Sequence, residues 1–287
     1  MNTKLFLLHA LSPLHAGTGR GVGMIDMPIA REKVTGIPYI PGSSIKGVLR
    51  SASKEKRDEI FGTDADEKGN ARAGAVNFSD ARILLLPVRS LRGTFAWATS
   101  PLLLHRFQRD MEIVAGNTFE IPVPTLQSEE KCFVSKENFA IQTDDDRVIL
   151  EDLAFQAQKD ESTTQWAKVL GDALFPDNEY WRDALEQRLC ILPDDAMGFL
   201  LSTGTEVVAR IALDDEAKVV KNGALWYEES LPVESVLYGL LSAVKRELPT
   251  EEIFATINRV IEKPLQIGGS ATVGRGLCQM RLLDEEA

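Results

Sequence analysis

The stretch SPLHAGTGRGVGMIDMPIAREKVTGIPYIPGSSIKGVLR, Ser12 to Arg50, decides how the rest of the chain is read. It follows a short apolar run, KLFLLHAL (Lys4 to Leu11), closed by Ser12-Pro13, which predicts a central strand. At its other end Pro41-Gly42-Ser43-Ser44 predicts a helix start with a serine as N-cap. On that helix Ile45, Val48, Leu49 and Ala52 share an inward face, and Lys46, Arg50, Lys54 and Arg57 form a basic stripe on another. A helix N-terminus preceded by glycine and serine is a natural anion site, although a basic stripe is also the ordinary dress of a solvated face. Between strand and helix, Gly17, Gly19, Gly21 and Gly23 alternate as GxGxGxG. That spacing is not the GxGxxG of a dinucleotide site, and no helix opens directly after it, which excludes a Rossmann fingerprint. Alternate glycines let a backbone approach a ligand closely and expose N–H groups that can cup a phosphate; a plain flexible loop has the same composition. Met24 to Ile29 and Ile37 to Ile40 read as short extended pieces. Asp26 is an isolated acid, either turn-capping or paired with Arg31, and His15 is one of only three histidines.

Outward from this stretch, Asp58 to Arg72 is polar and loop-like, and its acids do not meet the spacing of a calcium loop. Ala75 to Phe78 and Ala81 to Val88 read as strands, and Ser100-Pro101 opens a second helix carrying His105. Periodicity weakens from Glu112 to Ser162; Trp166 to Phe175 and Glu179 to Leu189 read as helices, so residues 112–190 form a mostly helical insertion. Glu206 to Leu213 and Lys218 to Tyr227 alternate as the arms of a long hairpin around Asp214-Asp215-Glu216. Val236 to Ala243 is read as a strand, and Thr250 to Glu262 as an amphipathic helix. Glycine returns in IGGSATVGRG, where Gly268, Gly269, Thr272 and Arg275 make a composition suited to backbone recognition, before a last strand, LCQMRLL.

Composition narrows the class. The chain has 287 residues, 44% apolar and 26% charged, as globular proteins have, and can bury a sizeable core. It contains no run long enough to span a membrane, and its N-terminus is a poor signal peptide, so a cytoplasmic protein without a membrane partner is expected. Cys132, Cys190 and Cys278 lie far apart, which excludes a zinc knuckle and argues against a disulfide framework. The net charge of −11 is unevenly spread: residues 1–110 hold 16 Lys/Arg against 10 Asp/Glu, and residues 111–287 hold 16 against 33. A basic first third in an acidic chain suits a local polyanion site, or head-to-tail assembly of acidic on basic faces.

The order strand, long loop, helix, strand, then strand, helix, glycine loop, strand fits an α+β protein with a ferredoxin-like (RRM-like) βαββαβ core. Residues 1–111 would supply its first part with the loop and helix, 191–235 a protruding hairpin region, and 236–287 its second part with the terminal glycine loop. Such a core suits single-stranded RNA. SPLHAGTG, IDMPIARE, TGIPYIPGSSIKGVLR, TEVVARIALDDEAKVVKNGALWYEE and IGGSATVGRGL together resemble the RAMP superfamily of CRISPR effector proteins, with the best match to the backbone subunit of the type III-B Cmr complex. The match runs in order over nearly the whole chain and is thinnest over 112–190.

The resemblance implies copies stacked as a helical filament along a CRISPR guide RNA, with other Cmr subunits and a complementary target RNA as partners. It implies guide contacts through the first helix and the glycine loops, here His15, Gly17, Gly19, Arg20, Ser43, Ser44, Lys46, Arg50, Gly268, Gly269, Thr272 and Arg275. It implies a hairpin thumb that wedges between segments of the guide–target duplex. It further implies an endoribonuclease that cuts the target at regular intervals with a divalent metal, Mg2+, using an aspartate that matches Asp26, itself a possible ligand. Two alternatives stand beside it: a non-catalytic RNA-binding scaffold, and a guide-precursor-processing ribonuclease using His15 as acid or base.

Overall fold

The N-terminal apolar run becomes β1 (Asn2–Ala10), and both of its faces are covered, which is why it shows no polar alternation. The remaining elements follow in a computed structural model that describes residues 2–19, 21, 23–64, 70–136, 140–213, 220–244 and 248–283. They are β2 (Tyr39–Ile40), α1 (Gly42–Ala52), α2 (Arg57–Phe61), β3 (Val76–Phe78), β4 (Ala81–Arg89), β5 (Phe95–Thr99) and α3 (Pro101–Ala115). Next come β6 (Lys131–Val134), β7 (Arg147–Leu150), β8 (Leu153–Lys159), α4 (Glu161–Leu174), α5 (Glu179–Glu186), β9 (Leu189–Ile191) and α6 (Asp194–Thr203). The chain then forms β10 (Glu206–Leu213), β11 (Val220–Ser230), β12 (Val236–Ala243), α7 (Thr250–Ile261), β13 (Leu265–Gln266) and β14 (Leu277–Leu282). Arg20 and the Asp214-Asp215-Glu216 turn lie outside the described residues.

Among the described residues, one large mixed sheet runs in the order β13-β14-β1-β12-β4-β5-β9-β6-β8-β7, with β2 beside β4 and β3 beside β12. β1 pairs antiparallel with β12 on one side and with β14 on the other. The β5–β9 and β6–β8 pairs are parallel. The two faces carry two cores. Phe6, Leu8 and Ala10 pack with Ile45 and Leu49 of α1 and Ile253 and Ile257 of α7. Leu5 and Leu7, one residue out of phase, pack with Leu104 and Phe107 of α3 and Trp166 and Leu170 of α4. β10 and β11 form a separate two-stranded ribbon.

Several expectations change here. Residues 112–190 are not mostly helical: β6, β7, β8 and β9 stand among α4 and α5. These strands are short and take their burial from a widened sheet, so too few residues alternate to mark them in sequence. α6 also goes unannounced, because only Met197, Leu200 and Leu201 of its ten residues are buried and leave too few inward positions to show a helical period. The first helix ends at Ala52, where the Ser53 N–H reaches Leu49 O, so Lys54 and Arg57 leave its basic stripe. Its N-cap position is Pro41 and not a serine. Among the described residues no helix is long and apolar enough to cross a membrane.

Candidate functional site

A groove of about 840 Å³ lies where the first glycine loop, α1 and the terminal glycine loop converge. His15, Gly17 and Gly19 form one wall, Ser43, Ser44, Gly47 and Ser51 the α1 wall, and Gln266, Gly268, Gly269 and Ser270 the third. Three separated motifs of the sequence thus meet at one place. His15 anchors it. The ring is only 4% exposed, and its Nδ1 donates to Glu229 O at 2.6 Å. The glycines are fitted to it. A Cβ on Gly17 would stand 2.5 Å from the His15 Nε2, and one on Gly268, at φ +80°, would stand 2.2 Å from its carbonyl oxygen. Gly269 N–H donates to that same oxygen at 2.9 Å. These glycines therefore serve close packing around His15 as much as approach of a ligand.

The α1 helix turns a different face to the groove than its charge pattern suggests. Val48 and Ala52, expected inward, line the groove, while Gly42, Ile45 and Leu49 are buried. Lys46 donates to Val76 O at 3.0 Å, and Arg50 pairs with Asp64 at 2.6 Å, so neither is among the lining residues. The helix N-terminus is already served: Gly42 N–H donates to Asp80 Oδ1 at 2.9 Å. A Cβ at Gly42 would lie 2.5 Å from Phe78 O, which is why glycine stands there. Thr272 is exposed on a one-turn helix beyond the groove. Arg275 is buried and donates to Ser230 Oγ at 2.7 Å, with Glu206 at 3.7 Å.

Asp26 lies beside the groove, next to its lining residue Met27, and is exposed. Its Oδ2 accepts the Tyr227 N–H at 2.8 Å, and its carbonyl oxygen accepts the Gly21 N–H at 2.8 Å. Met27 N–H donates to Tyr227 O, and Glu229 N–H to Met27 O, so the Asp26 segment lies along the base of β11 as a short parallel bridge. Arg31 pairs with Glu229, Nη2 to Oε1 at 2.6 Å, and not with Asp26. Buried Glu229 also accepts Thr205 Oγ1 and the Ile29 N–H, which fully occupies a carboxylate that burial would otherwise penalise. Its neighbour Glu228 is buried too. Burial pushes its carboxyl up, but hydrogen bonding to the Trp226 indole and the nearby Arg210 guanidinium win and hold it below the usual range.

Glu228, Glu229, Ser51 and Gly47 are the parts that sequence reasoning missed. The two glutamates lie just past the expected end of the hairpin arm at Tyr227, and their signal is two adjacent acids that continue that strand. The small residues at 43, 44, 47 and 51 follow helical spacing, a signal masked by the more conspicuous basic row. Among the described residues no group of three or more His, Cys, Asp or Glu is placed to hold a metal ion.

The RAMP superfamily model matches residues 7–279. The chain is 38% identical to the CRISPR system Cmr endoribonuclease Cmr4 of Pyrococcus furiosus, over 98% of this chain and 96% of that protein. It is 24% identical to the CMR subunit Cmr4 of Saccharolobus solfataricus, over 98% of this chain and 97% of that one. A crystal structure of oligomeric Cmr4 from Pyrococcus furiosus superposes with a TM-score of 0.74 at 32% identity, with 99% of each chain covered. A chain of a type III-B Cmr-beta complex bound to cognate target RNA shares the fold, with a TM-score of 0.74 at 21% identity over 98% of this chain and 96% of that one. By family match, full-length relatives and fold together, this chain belongs to the RAMP superfamily.

Proposed function

We propose that this chain is the RNA-binding backbone subunit of a type III-B CRISPR effector. In this reading copies stack along a guide RNA, and each cleaves complementary target RNA beside Asp26. The observation that carries it is the junction at β11, where one strand touches both the groove wall, through Glu229 O and His15, and Asp26, through Tyr227 N–H. A guide held in the groove and a target strand at Asp26 would then be kept in register by one rigid element. The Pyrococcus furiosus relative is named an endoribonuclease, which supports the cleavage assignment. The strand order β14-β1-β12-β4, with α1 and α7 against one face, supports reading the core as ferredoxin-like. The ribbon β10–β11 is the proposed thumb.

Cleavage by 2′-hydroxyl attack needs a base for that hydroxyl, in-line geometry, and a proton for the departing 5′ oxygen. Asp26 supplies the base by taking the 2′-hydroxyl proton, and solvent water, which reaches this exposed position, gives a proton to the departing 5′ oxygen. The Tyr227 N–H fixes the Asp26 carboxylate through Oδ2, and Oδ1 has no hydrogen-bond partner among the described residues. In-line geometry comes from the splayed nucleotide beside an inserted ribbon. Magnesium is proposed as the divalent ion, but the donor set does not fit a resident metal: one carboxylate with one oxygen engaged is no cage.

The test is target-RNA cleavage by the assembled complex with magnesium, comparing wild type, Asp26→Ala and His15→Ala. Loss of periodic cleavage with retained guide loading in Asp26→Ala is expected; persistent cleavage leaves a non-catalytic scaffold. Loss of precursor cleavage by the isolated His15→Ala subunit would instead favour the processing ribonuclease.

A further inference from the structure

The place of Asp26 depends on how its segment lies against β11, and few backbone bonds fix that. Met27 N–H donates to Tyr227 O and Glu229 N–H to Met27 O, both at 3.0 Å. The ladder stops there, because Pro28 has no N–H to continue it. The next donor, Ile29 N–H, goes to a side chain instead, Glu229 Oε2, at 3.0 Å. The Glu229 carboxylate thus stands in for the missing backbone partner. On its far edge the segment is bonded to the first glycine loop, by Thr18 N–H to Pro28 O and Ala30 N–H to Ala16 O. Loss of the Glu229 anchor would therefore let segment and loop shift together without unfolding.

One cation keeps that carboxylate in place. Glu229 is buried, and among the described residues Arg31 is the only cation paired with it. The guanidinium works as a fork. Its Nη2 donates to Glu229 Oε1 at 2.6 Å, and its Nη1 to Leu201 O of α6 at 3.0 Å and to Gly36 O at 2.9 Å. A buried carboxylate stripped of its counter-charge is costly. Without Arg31, Glu229 is driven from this position and Ile29 loses its acceptor.

Resting on the function proposed above, we propose that Arg31 is a positioning residue for cleavage: acting through Glu229, it pins the Asp26 segment to β11 and holds the Asp26 carboxylate at the reacting 2′-hydroxyl. It touches no substrate and takes no proton.

The experiment uses the assembled, guide-loaded complex with magnesium and saturating target RNA. It measures the single-turnover cleavage rate and, separately, the target Kd and guide occupancy, for wild type, Arg31→Gln, Arg31→Lys and Asp26→Asn. Arg31→Gln is expected to cut roughly 10- to 100-fold more slowly, the effect of a displaced reacting group, with Kd and guide occupancy unchanged. Arg31→Lys keeps the counter-charge but not the fork, and its rate is expected to fall between the two. A wild-type rate in Arg31→Gln overturns the inference. So does a slower rate accompanied by equal losses of target affinity and guide occupancy, the mark of a general structural role. If Arg31→Gln does not assemble, Arg31→Lys decides by the same two measurements. Asp26→Asn separates the two readings. Wild-type cleavage by that variant removes the proposed catalytic role and this inference with it; lost cleavage there beside a wild-type rate in Arg31→Gln removes this inference alone.

Discussion

Asp26 and Glu229 divide the labour of the site between an exposed and a buried carboxylate. The Tyr227 N–H holds Asp26 Oδ2, and Oδ1 has no hydrogen-bond partner among the described residues, as the proposed base requires. Asp26→Asn preserves shape and that acceptor, so target cleavage by the assembled complex should fall by at least ~100-fold, the usual worth of a general base, with guide affinity unchanged by filter binding. Glu228 answers to pH instead. Its carboxyl titrates lower in the folded chain than its ordinary value of 4.5. The stability it contributes is therefore complete above about pH 4.5 and is lost as pH falls through the lower, folded value. Thermal unfolding followed between pH 6 and 3 should show Tm dropping in that acid window, and Arg210→Gln should make the drop shallower.

At the scale of the element, α1 is the instructive case. Its existence was legible from Pro41-Gly42 and the Ile45–Leu49 spacing, but its end at Ala52 was not, because Lys54 and Arg57 continue the helical spacing past it. Its functional face was not legible. Lys46 and Arg50 look like a ligand stripe in sequence, yet the carbonyl of Val76 and the carboxylate of Asp64 engage them, contacts made by segments 14 to 30 residues away. The two glycines of this helix should part company. Gly42→Ala drives a Cβ into Phe78 O and Ser79 O and should cost roughly 1–3 kcal/mol in urea unfolding. Gly47→Ala meets nothing within 4 Å and should stabilise by roughly 0.5–1 kcal/mol. Gly47→Leu should fill the groove and weaken RNA binding without loss of stability.

For the whole molecule, the sheet with its two cores is the rigid body, and the β10–β11 ribbon stands apart from it. The register pairs Ala209 with Tyr227 and Ile211 with Leu225, so Val207, Ile211, Leu225 and Tyr227 share one face, 41–53% exposed. Among the described residues this apolar face stays about half exposed and belongs to neither core cluster. Ile211→Lys with Leu225→Lys should leave Tm within the scatter expected of surface substitutions, about ±0.5 kcal/mol, and should still reduce target cleavage in the assembled complex. A fall in Tm of several degrees would mean that the face packs within the chain.

The sequence by itself determined the elements whose burial pattern is local. β1, the hairpin and α7 are runs long enough for period and composition to speak, and both glycine loops stood out as motifs before the fold brought them to one groove. Tertiary structure alone decided the rest. Strands of three or four residues such as β6 and β9 exist only because a neighbouring strand completes their hydrogen bonds. His15 stands in the groove wall with its ring held by a carbonyl 214 residues away, which accepts the hydrogen bond from Nδ1. Arg31 goes to Glu229, which burial makes the stronger partner, and Asp26 is left at the surface with one oxygen open. Local physics sets which residues form an element. Long-range competition for each donor and charge sets which of them stay available to a ligand.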